Sequence, residues 1–193
     1  MNRDRILTRA RWLGSAGFAL AIAGATACQS TRTEVTSTQP GAPPMTEPMV
    51  AGLTRTIHDS EIEAGRLALQ KSTNENVRQF AQRMINEHTN LNQQLENVVD
   101  RLNMDPAGGT TNDQLRSSSR ATLDNLREYE GNNFDRTYIQ NQIDMHRWAI
   151  EAIDQTLIPA SRRNPLQSYI RDMRPILAAH LQDAERIMAN LPR

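Results

Sequence analysis

Between residues 75 and 102 the apolar side chains recur at alternating steps of four and three: Val77, Ala81, Met84, Leu91, Leu95, Val98 and Leu102. A chain written at that period makes a helix with one apolar stripe, and a strand cannot use it. A stripe of this kind is stable only when other helices cover it, so it constrains the rest of the chain as well.

The covering stripes are present. Residues 54–72 place Ile57, Ala64, Gly65 and Ala68 on one face, flanked by Ile62 and Leu69 on one side and Leu67 on the other. Asn74 is positioned to cap the 75–102 helix, with Glu75 in its first turn. The run "DPAGGTTND" ends that helix, and a segment around 113–130 with Leu115, Leu123 and Leu126 reads as a short extra helix stopped by Gly131. A third long helix starts near Asn133 and carries Ile139, Ile143, Ile150, Ile153 and Leu157 up to Pro159. Asn164-Pro165 opens the last helix, which shows Leu166, Tyr169, Met173, Leu177, Ala184, Ile187 and Leu191. Pro175 lies inside it and predicts a kink. The expected fold is all-α: an up-down four-helix bundle over 54–191, with a short extra helix in the crossover between the second and third long helices.

The residues ahead of the bundle have another character. "MNRDRILTRARW" is basic, and "LGSAGFALAIAGATA" is an apolar run of 15 residues, short of the roughly 20 a spanning helix needs. It ends in "ATAC", whose Cys28 is the only cysteine of the chain. This resembles a bacterial lipobox, although Ala25 stands where leucine is usual. The expectation is a signal peptide over 1–27 and lipidation at Cys28, with an ordinary cleaved signal peptide as the alternative. An acylated Cys28 leaves no thiol for a disulfide. Gln29 follows the cysteine instead of the aspartate of an inner-membrane retention signal, which points to a lipid-anchored periplasmic protein of the outer membrane. Residues 28–53 are rich in Ser, Thr, Pro and Gly without an apolar period and predict a disordered tether.

Charge narrows the function classes. Removal of 1–27 takes away Arg3, Arg5, Arg9 and Arg11 against Asp4, so the formal +0 of the whole chain becomes 18 basic (22 − 4) against 21 acidic residues (22 − 1). A mildly acidic chain without a basic block gives no support for nucleic-acid binding.

Three apolar stripes are interrupted at one type of residue. His88, His146 and His180 each stand where the spacing calls for an apolar side chain, on three different helices. Chance would place all three on a stripe in roughly 3% of cases, which favours a common purpose. The first helix has Glu61 at the middle of its apolar face instead, with Ile57, Ala64, Gly65 and Ala68 within about 60° of it. Counted from the turns that join the helices in pairs, and with both turns at one end of an up-down bundle, all four side chains lie about 20 Å from that end. One carboxylate and three imidazoles gathered in an apolar interior suit a single Zn²⁺, Fe²⁺ or Cu²⁺. A metal-free hydrogen-bonded cluster that holds the helices in register is the other reading. His58 falls on the flank of the first helix and is expected at the surface, and Trp148 is expected beneath the crossover helix.

The stretches "SEIEAGRLALQKSTNENVRQFAQRMINEHTNLNQQL", "FDRTYIQNQIDMHRWAI" and "RPILAAHLQDA" resemble the bacterial exported proteins grouped as domain of unknown function 4142, over about residues 54–190. The resemblance implies a ferritin-like bundle with a polar midsection and supplies no activity. In that pattern an acid precedes both central histidines: Glu87 fits before His88, whereas Met145 stands before His146. Di-iron bundles carry Glu three residues before histidine on two helices, and here Ile85, Ile143 and Leu177 hold those places, which argues against a di-iron oxidase or an iron store. Three classes stay open: a periplasmic metal-binding protein, a metal-free structural or interaction module, and a redox enzyme with an open coordination position.

Overall fold

The computed structural model describes residues 44–192. Six α-helices follow one another: α1 (Glu47–Lys71), α2 (Glu75–Arg101), α3 (Thr110–Arg127), α4 (Gly131–Ala152), the short α5 (Ile158–Ala160) and α6 (Asn164–Asn190). A π-helical turn, Ile153–Leu157, joins α4 to α5. No strand occurs among the described residues. The signal peptide, Cys28 and most of the expected tether lie outside them. No helix of the described residues is long and apolar enough to cross a membrane.

Local signals account for most boundaries. The Asn74 side chain accepts hydrogen bonds from the backbone N–H groups of Asn76 and Val77 and so caps α2. Gly131 opens α4 with φ +55, a left-handed conformation that glycine adopts without steric cost. Helix α6 starts at Asn164 with Pro165 in its first turn, so its start follows the Asn164-Pro165 signal to within a residue. Helix α6 continues through Pro175.

One boundary differs from the sequence reading. Helix α1 begins at Glu47 and not at 54, so residues 47–53 belong to the folded domain and not to the tether. Pro48 sits in its first turn, where a missing N–H costs nothing, and Val50, Ala51 and Leu53 are buried. Gly52 packs against the α2–α3 connection so closely that a Cβ would lie 2.0 Å from the Ala107 carbonyl oxygen. Glu47 fastens the helix start to the head of α6: it accepts from the backbone N–H groups of Arg162 and Arg163 and pairs with the Arg163 guanidinium at 2.6 Å. The proline and glycine that read as tether are packing residues here.

Helices α1, α2, α6 and α4 pack in a closed ring, α1 against α2 and α4, and α6 against α2 and α4, with α3 on the α1 side. Their interior holds two apolar clusters. One contains Ile57, Leu91, Leu95, Ile153, Leu166 and Leu177; the other contains Ala68, Val77, Met84, Phe134, Ile139 and Ala184. Every long helix contributes to both. The order of the contributions fixes direction: α1 and α6 run from the first cluster to the second, and α2 and α4 run back. Helix α3 makes this possible, for Leu115 near its start belongs to the first cluster and Leu123 and Leu126 to the second. It carries the chain along the whole bundle, so α2 and α4 are parallel. A single long crossover of this kind is the connectivity of ferritin-like bundles. The α1–α2 turn and the α5–α6 turn therefore lie at opposite ends, where the sequence reading had them share one. The four candidate residues still share one level, because each sits near the middle of its helix and a midpoint keeps its level whichever way the helix runs.

Candidate metal centre

Between the two apolar clusters lies a polar layer. His88, His146 and His180 are 0–1% exposed, and Glu61 is 1% exposed. His58, expected at the surface, is fully buried in the same layer. That misplacement follows from the misplaced start of α1: in a helix of 47–71 residue 58 is central, whereas in one of 54–72 it is near an end. It lies three residues from Glu61, about 60° around the helix and toward α2 and α6. The signal was available in the His58–Glu61 spacing once the helix was long enough.

Hydrogen bonds determine which ring nitrogens carry protons. His146 Nδ1 is 2.8 Å from the Gln142 carbonyl oxygen, which can only accept, so Nδ1 donates and Nε2 keeps a lone pair. His180 Nε2 is 2.6 Å from Glu87 Oε2. Burial raises the Glu87 carboxyl, but hydrogen bonds from Arg83 and His180 outweigh it and hold the group below its ordinary range, so Glu87 is an anion that accepts. His180 Nε2 donates and Nδ1 keeps a lone pair. On the other side of the layer the Tyr169 hydroxyl donates to the Leu91 carbonyl at 3.0 Å and accepts from His58 Nε2 at 2.7 Å. His58 Nδ1 then accepts from His88 Nδ1 at 2.9 Å, which leaves a lone pair on His88 Nε2. That atom has no hydrogen-bond partner among the described residues.

Three lone pairs thus belong to three buried rings, and two of them face each other. His146 Nε2 and His180 Nδ1 are 3.2 Å apart with no proton assigned between them. A proton would resolve the conflict, but burial holds the His180 imidazole down to about 4, and the charge of His146 acts in the same direction, more than offsetting the Glu87 hydrogen bond. Burial likewise holds His58 down to about 3 and His88 well below its ordinary value, and charge on the neighbouring rings adds to this. A cation resolves the conflict without that cost. One ring nitrogen from each of His88, His146 and His180 lies within 4.8 Å of the others. Two imidazoles on a tetrahedral ion at about 2.1 Å place their nitrogens about 3.4 Å apart, close to the His146–His180 separation. The donor set fits a borderline divalent ion.

Glu61 takes a different place. Its Oε1 is 3.7 Å from His146 Nδ1, the ring atom turned toward the Gln142 carbonyl, so the carboxylate stands behind the ring and outside the trio. Neither of its oxygens has a hydrogen-bond partner among the described residues, and the same holds for the Tyr138 hydroxyl and the Gln142 side-chain amide. Burial raises the Glu61 carboxyl, and the neighbouring His146 and Gln142 offset only part of that rise. Trp148 is half-buried, packs on the first apolar cluster and lines a groove together with Thr111 at the start of α3.

Fold and site together define a helical bundle with one long crossover and a histidine layer at mid-height. The chain belongs to the family described as domain of unknown function (DUF4142), whose profile matches residues 32–187. Among solved structures it is similar to a putative secreted protein DUF305 from Streptomyces coelicolor, at 12% identity and a TM-score of 0.62, over 75% of this chain and 93% of that one. It is similar as well to CopM in the Cu(II)-bound form, at 16% identity and a TM-score of 0.58, over 77% of this chain and 99% of that one. At these identities the likeness concerns the fold. No curated protein sequence matches the chain.

Proposed function

We propose that the protein is a lipid-anchored periplasmic metal-binding protein that holds one divalent transition ion on His88, His146 and His180, with Glu61 behind His146 as the nearest buried carboxylate. The observation that carries the reading is the His146 Nε2–His180 Nδ1 pair, two acceptor nitrogens facing each other at 3.2 Å beside the unpartnered Nε2 of His88. An all-imidazole set admits Zn²⁺, Fe²⁺ and Cu²⁺, and the Cu(II)-bound form of a structurally similar bundle makes Cu²⁺ the first ion to try. Anchoring through Cys28 rests on the "ATAC" run: Cys28→Ser releases the protein from membranes and removes an acyl mass from the mature N-terminus. An unacylated wild-type N-terminus would refute it.

Titration of the full-length metal-free chain with Cu²⁺ tests the site. Uptake of one ion per chain raises the melting temperature, since binding to the native state stabilises it by about 2.7 kcal/mol at 100 times the dissociation constant. His146→Ala abolishes the rise. A purely hydrogen-bonded layer gives another pattern: a melting curve indifferent to Cu²⁺, Zn²⁺ and Fe²⁺, and a His146→Ala loss of about 1–3 kcal/mol with or without metal.

A further inference from the structure

We propose that the ion enters and leaves the layer between α2 and α6, with Glu87 as the capture carboxylate and Arg83 as the latch that covers it. The inference rests on the metal-binding reading above and adds a route to it. All four histidines and Glu61 are buried, so an ion must reach them past a side chain that meets both solvent and a ring. The groups hydrogen-bonded to the layer are the Gln142 and Leu91 carbonyls, the Tyr169 hydroxyl and the Glu87 carboxylate. Gln142 and Leu91 are buried and Tyr169 is 6% exposed, whereas the Glu87 side chain is 36% exposed. Among these partners Glu87 alone connects the rings to solvent. It also carries the charge a cation needs, and its Oε2 already touches His180 Nε2.

Arg83 occupies the outer face of this port. Its Nε donates to Glu87 Oε1 at 2.7 Å, and its Nη1 pairs with Asp183 of α6, spanning the two helices between which the route runs. A groove of about 350 Å³ opens beside it, lined by Phe80, Arg83, Asp183 and Arg186 among others. In the closed arrangement Arg83 neutralises both carboxylates. When the flexible arginine swings away, Glu87 is uncovered at the mouth of the layer, while Asp183 keeps its pairing with Arg186. A cation held by Glu87 is then beside the His180 ring: Nε2 keeps its proton on the carboxylate, and the ion passes the ring edge to the Nδ1 lone pair that faces His146.

Stopped-flow mixing of the full-length metal-free protein with glycine-buffered Cu²⁺, followed by the absorption of the Cu²⁺–imidazole complex, tests the route. Release into excess chelator measures the reverse step. Glu87→Gln slows loading by about ten-fold, the scale on which a steering charge acts. It slows release as well, because one port serves both directions. Arg83→Gln speeds loading several-fold, and Asp124→Asn, an exposed carboxylate on α3 paired with Arg127, leaves both rates unchanged. A Glu87 that merely orients His180 gives a different result: loading at the wild-type rate with faster release, which overturns the route. Should Glu87→Gln fail to fold, Arg83→Gln decides, and loading at the wild-type rate rejects the proposal. Wild-type protein that takes up no Cu²⁺ refutes the metal-binding reading together with the route; one ion per chain at equal rates in every variant refutes the route alone.

Discussion

The polar layer has two wings of opposite character. Toward α2 and α6 hydrogen bonds form two chains, His58, His88, Tyr169 and the Leu91 carbonyl in one and His180, Glu87 and Arg83 in the other. His88 Nε2 is the one buried atom of these rings without a partner among the described residues. Between α1 and α4 the Glu61 oxygens, the Gln142 amide and the Tyr138 hydroxyl are buried without partners among the described residues. A buried polar group that lacks every hydrogen bond costs about 1–3 kcal/mol, and in this wing the Gln142 side chain, which lowers the Glu61 carboxyl, stands within reach of it. The closed wing fixes which ring atoms are acceptors. The open wing supplies the only carboxylate of the described layer that stands behind a ring with its charge uncommitted. The two are complementary parts of one site: one wing sets geometry, the other answers charge.

Acid should break the closed wing first, and with the largest effect. His58, His88 and His180 are all held below the ordinary value of 6.5, chiefly by burial, so between that value and about 4 the unfolded chain binds protons that the fold refuses. Stability therefore rises with pH across this window and is lost as pH falls through it. Each such histidine contributes about 1.4 kcal/mol per pH unit, or about 4 kcal/mol per unit for the three at the steepest point. Urea melts of the metal-free chain at pH 7, 6 and 5 measure the slope. Phe134→Ala, a fully buried ring in the apolar cluster beside the open wing, provides the contrast: it costs about 3–5 kcal/mol at every one of those pH values. A wild-type curve flat from pH 7 to 5 would mean that the rings take up protons in the fold as readily as in the unfolded chain and that the lone-pair assignment is wrong.

The apolar clusters were legible in the sequence because their signal is periodic and redundant. Val77, Ala81, Met84, Leu91, Leu95 and Val98 each repeat the same message, and one exception does not obscure it. His88, His146 and His180 were legible as exceptions within such stripes. Glu61 was found by the same test, yet periodicity reports only a face and a level; it cannot say whether a carboxylate stands among the ring lone pairs or behind one ring. His58 and the first turns of α1 were lost together. Pro48 and Gly52 resemble linker residues by composition, and their fitness depends on Glu47–Arg163 and on the Ala107 carbonyl, contacts that span more than fifty residues of chain. The parallel course of α2 and α4 was hidden for a related reason: the stripe of α3 shows that it packs, but not that it traverses the bundle from one cluster to the other.

The smallest expected effect is also the one that best separates the wings, because its sign depends on the metal. Glu61 has its carboxyl raised by burial above the unfolded value of 4.5. Above that value the fold must either protonate the group or bury its charge, so Glu61 subtracts from stability as pH rises through the window between the unfolded and folded values. Glu61→Gln keeps the shape and removes the charge. In the metal-free chain at pH 8 it should raise stability by about 1 kcal/mol, the scale of one unpaired buried group, and the gain should vanish toward pH 4.5. With Cu²⁺ bound the requirement reverses. Three neutral imidazoles leave the charge of the ion uncompensated in an apolar interior, and a carboxylate behind His146 strengthens that ring as a donor. The same substitution should then weaken Cu²⁺ binding and reduce the metal-induced rise in melting temperature. Melts of Glu61→Gln and wild type, each with and without Cu²⁺ at pH 8, give the comparison directly. A substitution that shifts both states in the same direction by the same amount would make Glu61 a packing residue and leave the open wing with no part in charge balance.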